Sequence, residues 1–100
     1  MIKVLIDRKI KEGRETAYWE MISELRVKAI PRRGYFSGQT WVDTNDPTHT
    51  VVISTWLTHE AWETWLNSPE RRAIEDALEP MLAEPVSILV FRPPEGIKVR

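Results

Sequence analysis

An α+β fold of the ferredoxin-like kind, a split β-α-β-β-α-β, is what this sequence predicts, and three observations predict it. Four segments alternate or run continuously in apolar residues as strands do, and the segments between them repeat apolar residues at helical spacing. The two middle strands are separated only by a short run of turn formers, so they pair as a hairpin. Helical segments lie between the first and second strands and between the third and fourth, which is the split βαβ order.

Residues 2–10 open the chain as a strand, with Ile2, Val4 and Ile6 on one face and Lys3, Leu5, Asp7 and Lys9 on the other. Lys11-Glu12-Gly13 breaks it. From Arg14 to Ala29, Tyr18, Met21, Ile22, Leu25 and Ala29 form an apolar stripe on a charged helix. Pro31 and Gly34 end that helix. Residues 35–42 read as the second strand, with Tyr35, Ser37, Gln39 and Trp41 sharing a face. Asp43-Thr44-Asn45-Asp46-Pro47 reads as the turn. Residues 50–57, nearly continuous in apolar side chains, read as a strand buried on both faces. Thr58 is suited to cap a helix carrying Trp62 and Trp65. Ser68, with Pro69 at the first helical position and Glu70 next, opens another helix, which Pro80 should end or kink. Residues 85–91 are the last strand.

Such a sheet carries helices on one face. The first, third and fourth strands are nevertheless apolar on both sides, which predicts a second sheet packed against the open face. A homodimer supplies it by closing two antiparallel sheets into one α+β barrel.

One hundred residues make a single domain, expected over 1–92 with a tail at 93–100. That tail is either an arm toward a partner or a frayed end. A domain of this size buries roughly two-thirds of its unfolded-chain surface, so a partner subunit adds useful burial. A net charge of −1 gives no basic excess for nucleic acid or anionic lipid. With no cysteine, disulfides, thiolate metal sites and cysteine nucleophiles are excluded. No apolar run approaches the roughly 20 residues that span a bilayer, and the N-terminal segment reads as a strand instead of a signal peptide. The cytoplasm is the default location.

Five tryptophans, at 19, 41, 56, 62 and 65, are many for this length. One reading makes them large core or interface residues; the other lines a pocket for a flat apolar ligand. Trp62 and Trp65, three apart on one helix, project to the same side, and Trp65 is the one expected in the pocket. Asp7 is a carboxylate within an apolar strand. It either pairs with a basic group such as Arg8, Arg26 or Lys28, lies at an exposed strand end, or serves a pocket as base or hydrogen-bond acceptor. His49, read into the turn, and His59, in a first helical turn, lack metal-ligand spacing and are expected at the surface. Arg32-Arg33 and Arg71-Arg72 read as solvated or salt-bridged pairs, with one arginine available to an acidic ligand group. No phosphate loop, dinucleotide fingerprint or nucleophile elbow is present, so neither cofactor nor metal is expected.

The Gly34-Tyr35 lead-in to the second strand, Trp56 at a strand end, Glu60-Ala61-Trp62 with Trp65-Leu66, and Ser68-Pro69-Glu70-Arg71 together resemble the antibiotic biosynthesis monooxygenase (ABM) family. The likeness extends over nearly the whole chain. It implies a dimeric α+β barrel, in a family that includes cofactor-free oxygenases and haem-degrading enzymes. The haem-degrading members need an asparagine, a tryptophan and a histidine. Trp65 matches the tryptophan, but Asp7 stands at the asparagine position and Glu75 at that of the histidine, the axial iron ligand. Glutamate is a poor proximal ligand beside histidine, which counts against haem degradation. The cofactor-free oxygenases take electrons from a phenolic substrate as its anion. By that analogy Trp65 stacks or hydrogen-bonds, Asp7 is the base, Tyr18 is a hydrogen-bond partner, and Trp62 and Glu75 belong to the ligand pocket. The expected function is cofactor-independent oxygenation of a small phenol or quinol. A non-catalytic dimer binding a small apolar ligand is the alternative, ahead of a haem binder.

Overall fold

A computed structural model describes residues 1–95. The order is β1 (Ile2–Lys9), α1 (Glu15–Ala29), β2 (Tyr35–Asp43), β3 (Asp46–Trp56), α2 (His59–Leu66), α3 (Pro69–Leu78), a 3₁₀ turn (Glu79–Met81) and β4 (Ser87–Phe91). The four strands form one antiparallel sheet in the order β2-β3-β1-β4. This is the expected ferredoxin-like α+β arrangement. The last five residues of the tail lie outside the described residues.

The helix starts follow local chemistry. Thr58 caps α2 by accepting from Ala61 N at 3.0 Å. Ser68 caps α3 by accepting from Arg71 N at 3.2 Å and donates back to Trp65 O at 2.8 Å, which ties α2 to α3. Pro69 occupies the first turn of α3, and Pro80 turns the helix end into the 3₁₀ segment. Gly34, at φ +84°, makes the reversal into β2.

Two features of the hairpin differ from the sequence reading. β3 begins at Asp46, so the connection is only Thr44-Asn45 and His49 lies within the strand. Thr48 donates to Asp46 Oδ1 from both its backbone N and its hydroxyl, and a backbone bond runs from Ile10 N to Thr48 O, which together hold this early segment in place. Pro47 is tolerated because the β2–β3 register is interrupted between Val42 and Asp43. The second difference is a bulge. Tyr35 pairs with Trp56 but Ser37 pairs with Thr55, leaving Phe36 as the extra residue. Tyr35 therefore faces the helices, whereas Ser37, Gln39 and Trp41 face away from them.

The helix-covered face holds two clusters. Ile2, Val4, Ile6, Ala29, Trp56, Trp62 and Trp65 form one. Ile10, Tyr18, Ile22, Ile74, Leu78 and Leu82 form the other. On the opposite face, Leu5, Val51 and Ile53 are half-buried, while Trp41, Leu89 and Phe91 are 58%, 50% and 53% exposed. Among the described residues nothing packs over that face.

Candidate functional site

Between α1, α2 and the sheet lies a cleft of about 70 Å³. α1 gives it Leu25, Arg26 and Ala29; β2 gives Tyr35, Gly38 and Thr40; β3 gives Val52, Ser54 and Trp56. Trp62 and Trp65 come from α2, and Arg71 from α3. The aromatic walls are coupled. Tyr35 meets Trp56 edge-on at 5.4 Å, and Trp56 lies 6.0 Å from Trp62. Arg71 Cζ stands 5.4 Å from the Trp62 ring centre, and Arg32 Cζ stands 5.0 Å from that of Trp65. Arg32 is held there by an ion pair with Glu70.

Gly38 makes room for this arrangement, because a Cβ there would stand 2.6 Å from the Tyr35 hydroxyl. The Arg26 guanidinium reaches from α1 to Gly38 O at 3.4 Å. An apolar cavity of about 150 Å³ holds one benzene ring. The cleft is smaller than that, so an aromatic ligand enters only if its side chains part.

Trp62 and Trp65 thus share the cleft. Asp7, Tyr18 and Glu75 are not among its lining residues, and one chain does not assemble the expected group of Asp7, Tyr18 and Trp65. Tyr18 is fully buried in the second cluster and shares a 2.7 Å hydrogen bond with Thr50 Oγ1. Glu75, itself on α3, pairs with Arg8 and, at 3.2 Å, with Arg71 Nη2. Arg8 is 2% and Arg71 5% exposed. Burial lowers the Arg71 pKa; the Glu75 charge opposes that fall and Arg8 adds to it. Arg71 is the cleft residue that composition alone does not single out, since arginines are seldom fully buried. The signal was its phase: Arg71, Ile74 and Leu78 form a three-then-four stripe on α3.

Asp7 lies on the open face of the sheet. Its carboxylate bonds His49 Nε2 at 3.0 Å, while Asp43 bonds His49 Nδ1 at 2.9 Å. Asp7 thus pairs with a histidine, and His49 is half-buried between two carboxylates. The Asp43 hydrogen bond, then that of Asp7, raises the His49 pKa above its ordinary 6.5. The His49 and Asn45 bonds lower the Asp43 pKa below 3.8, against the nearby charge of Asp46.

A raised histidine stabilises the fold fully below its unfolded pKa, and that contribution is lost as pH rises through the folded value. The lowered Asp43 contributes above its unfolded pKa and loses that contribution as pH falls through its folded value. Stability from this triad is therefore expected to peak in weak acid. An NMR titration should find His49 ionising above 6.5, and Asp43→Asn should bring that value down. A His49 pKa at or below 6.5 would break the argument.

Among the described residues, no group of three or more His, Asp or Glu is arranged to hold a metal ion, and no helix is long and apolar enough to cross a membrane.

Fold and cleft together define a class: a ferredoxin-like α+β unit with an aromatic-walled pocket between its helices and sheet. The sequence profile described as "Antibiotic biosynthesis monooxygenase" matches residues 1–77, and the chain belongs to that family. Among solved structures, the fold is similar to that of a conserved protein from Methanosarcina mazei Go1 (TM-score 0.88, 14% identity, covering 93% of this chain and 92% of that one). It is also similar to an antibiotic biosynthesis monooxygenase (TM-score 0.86, 18% identity, covering 94% and 99%). A third is a mutant form of SnoaB, a cofactor-independent oxygenase from Streptomyces nogalater (TM-score 0.81, 14% identity, covering 96% and 96%). No curated protein matches the sequence.

Proposed function

We propose that this protein is a cofactor-independent monooxygenase acting on a small phenol- or quinol-type aromatic in the cytoplasm. The observation that carries the reading is the cleft walled by Tyr35, Trp56, Trp62 and Trp65. Family membership and the likeness in fold to a cofactor-independent oxygenase support it. In the reaction, the phenol loses one hydroxyl hydrogen and one ring hydrogen and gains one oxygen atom of dioxygen at that ring carbon, giving a quinone. The other oxygen atom leaves as water, and the substrate supplies the electrons as its anion. Trp65 and Trp62 hold the ring, and the low-dielectric cleft excludes water from the anion.

The working unit in this reading is a homodimer. Trp41, Leu89 and Phe91 on the open face form an apolar surface that a second copy would cover.

A dioxygen electrode with a panel of anthrones, hydroquinones and naphthols tests the activity. Enzyme-dependent uptake is expected, reduced roughly tenfold or more in Trp65→Phe because the ring is no longer held in register. Tight binding of panel members without uptake would instead favour a non-catalytic ligand-binding barrel.

A further inference from the structure

We propose that Arg71 is the oxyanion receptor of the cleft, and that the ligand is a small planar aromatic monoanion, a carboxylate or a phenolate. The inference rests on the cleft being the ligand site.

The first argument is charge balance. Two buried guanidiniums, Arg8 and Arg71, share one carboxylate, Glu75. Arg8 makes the closer contact with Glu75 and is sufficient to neutralise it, so the cluster holds one positive charge in excess. Burying an uncompensated charge is costly, and a ligand anion removes that cost.

The second argument is satisfaction. Arg71 Nη2 is within 3.2 Å of Glu75 Oε1 but not aligned to donate to it, and it is a buried nitrogen without a hydrogen bond among the described residues. Arg8 Nε is likewise unsatisfied, but Arg8 is not among the residues lining the cleft.

The third is the chemistry of the walls. Among the described residues, the charged ones lining the cleft are Arg26 and Arg71, and no carboxylate lines it. Arg71 also stands over Trp62, so an anion received by the guanidinium would carry its ring toward the tryptophans. A planar fork beside a planar aromatic surface suits a planar oxyanion.

The test is a matched pair of ligands, 2-naphthoate and 2-naphthamide, titrated into the full chain by calorimetry and tryptophan fluorescence. A hydrogen bond to a charged group predicts roughly tenfold or greater preference for the acid. Arg71→Met should bring the two to parity, and Arg71→Lys should keep part of the preference. The methionine variant leaves Arg8 and Glu75 paired one to one, so the fold is expected to survive it.

A nitrophenol, whose ionisation is visible in its absorbance, supplies the phenolate arm. Bound to the wild type it should ionise at lower pH than when free, and Arg71→Met should abolish that shift. Preference in the naphthoate arm identifies a carboxylate; a shift in the nitrophenol arm alone identifies a phenolate. Equal affinity for acid and amide with no nitrophenol shift overturns the receptor and leaves the cleft as an aromatic site. A preference that persists in Arg71→Met overturns the assignment to Arg71. If none of the three compounds binds, the proposal fails together with the cleft reading. Oxygen consumption is not read, so failure of the oxygenase activity alone stays distinguishable.

Discussion

Replacement of Glu75 by glutamine is expected to cost about 3 kcal/mol of unfolding free energy, because it removes the carboxylate that pairs with both guanidiniums of a buried cluster. Glutamine keeps the shape and one acceptor oxygen, so the loss reports charge more than packing. A domain of this size has a total stability of about 5–15 kcal/mol, and such a loss would move its unfolding midpoint visibly. Urea titrations at one fixed protein concentration are the measurement. The same physics predicts the reverse for a full replacement. Exchanging Arg8, Glu75 and Arg71 together for apolar residues of similar volume is expected to leave stability unchanged or raise it, while removing the proposed anion receptor. A Glu75→Gln protein as stable as the parent would show that solvent reaches the cluster and screens it.

Replacement of Gly34 by alanine is expected to cost about 3 kcal/mol through two separable effects. The residue sits at φ +84°, where an L side chain clashes with its own backbone. A Cβ there would also stand 2.5 Å from Ala61 Cβ on α2, and neither the methyl nor the helix can move aside cheaply. Gly13 offers the control. It has φ +88° but, among the described residues, nothing within 4 Å of its Cβ position, so Gly13→Ala should show only the backbone part, about 1–2 kcal/mol. The difference between the two variants measures how tightly α2 is drawn onto the lead-in to β2. That spacing places Trp62 and Trp65, so Gly34→Ala should also weaken ligand binding. Equal losses at the two glycines would mean that α2 yields.

The elements were largely legible because their signals are local. Thr58, Ser68, Pro69 and Pro80 each act within one helical turn, and each appears in the structure where its chemistry requires. Trp62 and Trp65 were legible as cleft residues because a three-residue spacing on a helix fixes their common side. What was not legible depends on distant partners. Asp7 is bonded to a histidine 42 positions away, and the face it occupies is the one the helices leave open. His49 looked like a turn residue because Asp43 to Pro47 is rich in turn formers, yet pairing with β1 up to Lys9 draws it into the strand. The burial of Arg71 follows from the phase that Ser68 and Pro69 impose on α3, a phase that only packing against Arg8 and Glu75 turns into a charged cluster.

The bulge at Phe36 gives β2 one place that can absorb a change in chain length. A chain lacking that residue would run from Tyr35 paired with Trp56 straight to Ser37 paired with Thr55, and Thr40 and Trp41 would keep their present sides. The same single deletion at Gln39 would exchange inside for outside in the rest of the strand, sending Trp41 toward the cleft and Thr40 away from it. A one-residue deletion along this edge is therefore tolerable at Phe36 and disruptive beyond it, where it would rearrange the lining of the cleft.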